Sequence, residues 1–172
     1  MDNMQEDDAF VSSMPSVEVY TDGGFRTKIG TGGYGAVAYC GPYHQFFYGG
    51  FHDVSNNQME IQAVLAVLRS LNCRCRVHIV SDSQYVVNSI NGWVMGWRNN
   101  GWMTRQGAPV ANREMWEEMW AYMQYHLITA EWKRGHSEGN TLNTMCDHLA
   151  AIGMYKEAHM AIPRAVLDPR RK

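Results

Sequence analysis

The chain has 172 residues, of which 45% are hydrophobic and 19% charged, and its formal net charge is −2. That is one globular domain's worth of sequence, with enough apolar material for a core. No apolar run reaches the ~18 residues of a membrane span, and Met1–Ser16 lacks the basic start and apolar centre of a secretory signal.

The charge is unevenly divided. Residues 1–16 carry four acids (Asp2, Glu6, Asp7, Asp8) and no base, residues 163–172 carry four bases against Asp168, and the stretch between carries 11 bases and 12 acids. A polyanionic partner fits this division best if bound cations offset some of the acids, and strong electrostatic capture is not expected. The cysteines are Cys40, Cys73, Cys75 and Cys146. Cys73 and Cys75 stand too close in sequence for a relaxed disulfide, and no second pair completes a structural zinc site. Free thiols in a reducing cytoplasm are the expectation.

In chain order, residues 1–16 read as an acidic, disordered tail. Val17–Gly23 alternates and is β-branched, which predicts a strand, and the glycines of Gly30–Gly35 predict a loop after it. Tyr34–Tyr39 and Gln45–Phe51 follow as strands around a Gly41-Pro42 turn, giving an antiparallel meander. Asn57–Leu71 changes period: Ile61, Val64, Leu65 and Leu68 share one helical face. Arg76–Ser81 is a short strand, and Ser83 is placed to cap the helix after it. Residues 92–109 are rich in Gly, Trp and Asn and read as irregular. Arg113–His126 is a helix, Leu127–Trp132 the last strand, and Leu142–Ile152 the last helix. The domain is expected over 17–153 and a loose tail over 154–172. The order predicts an α/β fold: a five-stranded mixed sheet, three antiparallel strands followed by parallel ones, flanked by helices.

Four carboxylates stand out within this frame. Asp22 and Asp82 each end a predicted strand, where ligands gather in sheets with helical crossovers. Glu60 projects from a helical face shared with Val64, Val67, Leu68 and Leu71. Asp147 lies one helical turn from Asn143, beside Ala150 and Ala151, whose small side chains permit close packing on the sheet. Carboxylates among apolar residues are costly to bury unless paired or bound to a cation. Gathered at one point they would bind hard divalent ions through oxygen and support metal-assisted phosphodiester chemistry. His136, between Gly135 and Gly139 on the loop before the last helix, is placed to carry a proton for such a site.

The ordered set of motifs resembles type 1 ribonuclease H. The residues are Thr21-Asp22-Gly23 with Gly32-Gly33-Tyr34-Gly35-Ala36, Asn56-Asn57-Gln58-Met59-Glu60, Asp82-Ser83-Gln84-Tyr85-Val86, and Gly135-His136 followed by Asn143 and Cys146-Asp147. The match runs from Val17 to Ile152. It implies the ribonuclease H-like fold and an endonuclease that hydrolyses the RNA strand of RNA–DNA hybrids, leaving 5′-phosphate and 3′-hydroxyl ends. It implies two Mg²⁺ ions, with Mn²⁺ as a possible substitute, held by Asp22, Glu60, Asp82 and Asp147 with Asp22 shared, and ~3.5–4 Å apart as in other two-metal sites. His136 would help the product leave. Asn56, Gln84 and Glu60 would touch the RNA strand and its 2′-hydroxyls. Ser55 and Asn112 would form a pocket for a DNA-strand phosphate. Residues 92–102 match the family's basic protrusion, where Trp93, Trp97 and Arg98 would line a strand-binding groove and Trp102 would pack the loop onto the body.

The chain departs from the pattern in three places. The protrusion keeps only Arg98 and Arg105, with Arg113 beyond it. Asp53 stands where a base is common, and Thr27-Lys28-Ile29-Gly30 replaces the usual Gly-Asn-Pro-Gly turn. These bear on affinity for the hybrid, not on the carboxylates. The expected protein is a cytoplasmic monomer. Its rivals are a hybrid-binding protein without catalysis, a DNA or junction nuclease of the same fold, and an accessory domain of a polymerase.

Overall fold

The computed structural model describes the backbone over residues 2–135 and 141–167, and side chains from residue 8 onward within those bounds. Five strands form one sheet: β1 (Ser16–Arg26), β2 (Thr31–Cys40), β3 (Tyr43–His52), β4 (Arg76–Ser81) and β5 (Leu127–Trp132). Their spatial order is β3-β2-β1-β4-β5. β1 pairs antiparallel with β2, and β2 with β3; β4 pairs parallel with both β1 and β5. This is the mixed sheet expected from the element order.

Strand alternation sends successive side chains to opposite faces. Val17, Val19, Val77 and Ile79 enter the main core, beneath Ile61, Val64, Leu65 and Leu68 of α2 (Asn56–Ser70) and Trp116 and Met119 of α5 (Arg113–Tyr125). Each such side chain, fully removed from water, contributes roughly 1.5–3 kcal/mol. The bidentate Arg69–Glu118 pair ties α2 to α5 at the surface, at 2.7 and 2.8 Å. The opposite face of β1–β3 is covered by α6 (Thr141–Glu157).

Four segments differ from the sequence expectation. Asp2–Ser13 forms helix α1 where composition predicted no order. Its end is tied down: Met14 is buried, Arg74 lies over the Phe10 ring, and Pro15 carbonyl accepts from Arg76 N–H at 2.9 Å. The glycines after position 30 belong to β2, not to a loop. Side chains on Gly33 and Gly35 would overlap the carbonyl oxygens of Ala150 and Cys146, so the glycines allow α6 to lie backbone against sheet. Residues 84–99 are helical throughout, as α3 (Gln84–Asn88), a π-helical turn (Ser89–Trp93) and α4 (Val94–Asn99). Trp97, half-buried against the core, and buried Val94 pull this segment inward. The last helix runs past the expected boundary to Glu157, because Gly153 inside it packs directly on Gly49 of β3. A short helix, α7 (Arg164–Leu167), follows.

Candidate active site

The parallel pairing of β1 with β4 ends at Thr21 and Ser81. Asp82 immediately follows β4, whereas Asp22, expected at a strand end, lies inside β1, which runs on to Arg26 because β2 keeps pairing with it; both carboxylates stand where the β1–β4 pairing stops. Glu60 arrives from α2. A side chain on Gly23 would stand 2.5 Å from Glu60 N, so glycine here is what lets the helix backbone seat against β1. One carboxylate oxygen from each of Asp22, Glu60 and Asp82 lies within 4.8 Å of the others. Asp147, on α6, is not one of the three carboxylates in that group, but it is near enough for its charge to act on Asp22. The thiol of its neighbour Cys146 donates to Tyr20 carbonyl at 3.3 Å, pinning this turn beside the middle of β1.

These carboxyls are strongly perturbed. Burial, then repulsion from Asp82 and Asp147, pushes Asp22 up to about 8. Burial, then the charges of Asp22 and Asp82, pushes Glu60 up to about 9. Both feel a smaller opposing pull from Gly23 N–H, which donates to Asp22 Oδ1 at 2.9 Å. Glu60 Oε2 is buried and has no hydrogen-bond partner among the described residues. Crowded acids with an unpartnered buried oxygen lose both costs when an oxygen-seeking divalent cation binds. The donor set fits such an ion.

The other predicted residues surround it unevenly. Asn56 opens α2 and Gln84 opens α3, both exposed, and Asn143 is buried in a narrow cleft shared with Asp82 and Lys133. Ser55 Oγ accepts from Gln58 N–H at 3.1 Å, and Gln58 Oε1 accepts from Ser55 N–H at 2.7 Å, a capping box that leaves the serine O–H to donate. Asn112 adopts φ 57° before α5, and its amide donates to Tyr85 Oη at 3.3 Å. Trp93 and Trp97, with ring centroids 6.0 Å apart, line an open groove of about 1180 Å³ with Asn100, Met103 and Arg105. Trp102 is buried in the core. The Arg98 guanidinium lies 5.5 Å from the Trp120 ring centroid, and the base among the residues lining the groove is Arg105. His136 lies outside the described residues.

Two site residues escaped the sequence reading. A side chain on Gly135 would overlap Asp82 Oδ2, so this glycine lets the loop after β5 pass directly beside the carboxylate. Trp132 donates its indole N–H to Asp82 carbonyl at 2.8 Å, fixing the turn that carries the acid. Only the position of Gly135, immediately before His136, hinted at the first.

The sequence profile of the RNase H family matches residues 14–155. The chain belongs to the ribonuclease H family. It is 42% identical over 134 residues to a ribonuclease H of Aeromonas salmonicida, covering 78% of this chain and 86% of that one. It is 39% identical over 138 residues to a ribonuclease HI of Neisseria meningitidis, covering 80% and 94%. Among solved structures, the PFV RNase H domain aligns with a TM-score of 0.71 at 25% identity, covering 84% of this chain and 98% of that one. LC9-RNase H1, a type 1 RNase H with the type 2 active-site motif, aligns with a TM-score of 0.75 over 92% and 82%; at 23% identity this speaks for the fold alone. As a member of the ribonuclease H family the chain is a hydrolase, and no helix among the described residues is long and apolar enough to cross a membrane.

Proposed function

We propose that this ribonuclease H cuts the RNA strand of RNA–DNA hybrids internally at the carboxylate cluster, with two Mg²⁺ ions, leaving 5′-phosphate and 3′-hydroxyl ends. The observation that carries the reading is convergence: Asp22, Glu60 and Asp82 come from three elements to one point, and one buried carboxylate oxygen there has no hydrogen-bond partner. Asp22, Glu60, Asp82 and Asp147 would hold the ions, with Asp22 shared, and Mn²⁺ would substitute. When bound, such ions polarise the scissile phosphate and make water a nucleophile at neutral pH.

The chain's own residues bind and orient the substrate. The exposed amides of Asn56, one helical turn before Glu60, and Gln84, two residues after Asp82, would both donate to and accept from 2′-hydroxyls of the RNA strand. Ser55 and Asn112, each at a helix N-terminus, would take a phosphate of the DNA strand. Trp93 would stack in the groove, with Arg105 as its base. Asn143 would steady the Asp82 side of the site. His136 would hand a proton to the departing 3′-oxygen, since Gly135 brings its loop against Asp82. The enzyme would act as a monomer in the cytoplasm, in keeping with its free thiols.

The test is cleavage of a labelled RNA–DNA hybrid, beside duplex DNA and duplex RNA of the same sequence, with Mg²⁺ or chelator. Only the RNA of the hybrid should be cut, and only with the metal. Cleavage of duplex DNA would make this a DNA nuclease of the same fold, and tight hybrid binding without cleavage would make it a binding protein.

A further inference from the structure

At the far end of β4 from Asp82 stands a pair of sulfurs. Cys75 immediately precedes the strand and Asp82 immediately follows its six residues, so the two sites lie roughly 20 Å apart at strand rise. Cys73 Sγ and Cys75 Sγ are 3.8 Å apart. A disulfide needs ~2.05 Å, which this short loop would have to deform to reach. Two sulfurs bound to one tetrahedral cation at ~2.3 Å, by contrast, stand about 3.8 Å from each other. The pair already has the separation of a chelate.

The backbone holds that spacing. Cys75 N–H donates to His126 Nδ1 at 3.1 Å, Cys75 carbonyl accepts from Leu127 N–H at 3.0 Å, and Arg76 N–H donates to Pro15 carbonyl at 2.9 Å. Cys75 is therefore clamped from both neighbouring strands, while Cys73 is exposed and gives access. Cys40, also exposed, lies close enough for its charge to act on Cys75. Burial, then the hydrogen bond with Cys73, pushes the Cys75 thiol up to about 11, so an ion must displace its proton on binding.

We propose that Cys73 and Cys75 form a bidentate site for one thiophilic cation such as Zn²⁺ or Cd²⁺, separate from the oxygen-ligand site at the carboxylates. Binding replaces the two thiol protons with two metal–sulfur bonds and changes no oxidation state. Soft thiolates select such ions over Mg²⁺, so the two sites divide the metals between them.

The experiment titrates reduced, full-length protein with Cd²⁺ in the presence of excess Mg²⁺, reading the ultraviolet thiolate-to-cadmium charge-transfer band and the number of reactive thiols. One equivalent of Cd²⁺ should produce the band and protect Cys73 from a thiol reagent. Zn²⁺ added first should suppress it. Cys73→Ser, at an exposed position with no folding burden, should weaken Cd²⁺ binding at least tenfold and reduce the band; Cys75→Ala should do the same with its Mg²⁺-dependent activity retained. Absence of the band at one equivalent overturns the proposal, as does a band unchanged in Cys73→Ser.

Discussion

Asp22 and Glu60 are acids that the fold holds partly protonated in the absence of metal, pushed up to about 8 and about 9. Their unfolded values lie near ~4. The native state therefore binds more protons than the unfolded chain between those limits, so these groups stabilise the metal-free protein fully below ~4 and the contribution is lost as pH rises through ~8–9. Asp22→Asn removes the burden. It should abolish cleavage yet raise the metal-free melting temperature, by a margin that widens from about pH 4 to about pH 9. A margin that narrows with pH would contradict the account of the cluster. His136→Ala should lower kcat by ~10²-fold or less, because bound ions can still stabilise the leaving oxygen; unchanged turnover at saturating hybrid would remove His136 from the reaction. At this scale the sequence was readable where chemistry breaks pattern: Asp82 follows the end of β4 and Glu60 interrupts an apolar helical face, whereas Asp22 lies inside β1, at the point where only its pairing with β4 stops. Gly23 and Gly135 were not readable in the same way, because their role is an absent side chain whose meaning depends on Glu60 and Asp82 being opposite them.

The elements that carry Glu60 and Asp147 approach the sheet from opposite sides, and both depend on missing Cβ atoms. Gly23 admits α2, while Gly33 and Gly35 admit α6. Gly35→Ala would drive a methyl into Cys146 carbonyl, a backbone atom that cannot rotate away. It should destabilise the protein by ~1–3 kcal/mol and also slow cleavage, because the turn that must shift carries Asp147. A destabilised variant with wild-type kcat and metal affinity would show that α6 does not position Asp147. This is also where the sequence misled: glycine density between positions 30 and 35 signals a loop locally, and only the helix 110 residues later makes it a strand. Ser83 was legible as a cap because capping is local, and Val86 N–H donates to its Oγ at 3.2 Å. The helical path through residues 84–99 was hidden by Gly92 and Gly96, poor helix formers that packing of Val94 and Trp97 overrides.

Across the whole molecule, positive charge for a polyanion is scarce near the groove. Arg98 lies over Trp120 and Arg113 pairs with Glu117 at 2.9 Å, which leaves Arg105 lining it. Hybrid binding should therefore be weak, with a salt slope equivalent to roughly three to five ionic contacts. Asn99→Lys, at an exposed position, should tighten binding and steepen that slope with little change in kcat; Asn100 is a poorer choice because its amide donates to Met103 carbonyl at 2.9 Å. A wild-type slope of roughly eight or more contacts would place the binding surface elsewhere, with the basic residues 164–172 first to be truncated. The mixed sheet, antiparallel strands first and parallel strands after, was legible, because strand alternation and helical period are properties of short windows, whereas its spatial order β3-β2-β1-β4-β5 rests on contacts between distant strands. The structure adds that Asp22 of β1, Glu60 of α2 and Asp82 after β4 gather at one point of that sheet. The most direct measurement of what that cluster does is end-group analysis of products from a hybrid with labelled RNA, comparing wild type with Asp22→Asn, each with Mg²⁺ and with chelator. The account predicts internal RNA fragments bearing 5′-phosphate and 3′-hydroxyl ends from the wild type with Mg²⁺ alone, and an uncut DNA strand throughout. Fragments that persist with chelator or from Asp22→Asn, or that carry 2′,3′-cyclic phosphate ends, would contradict it.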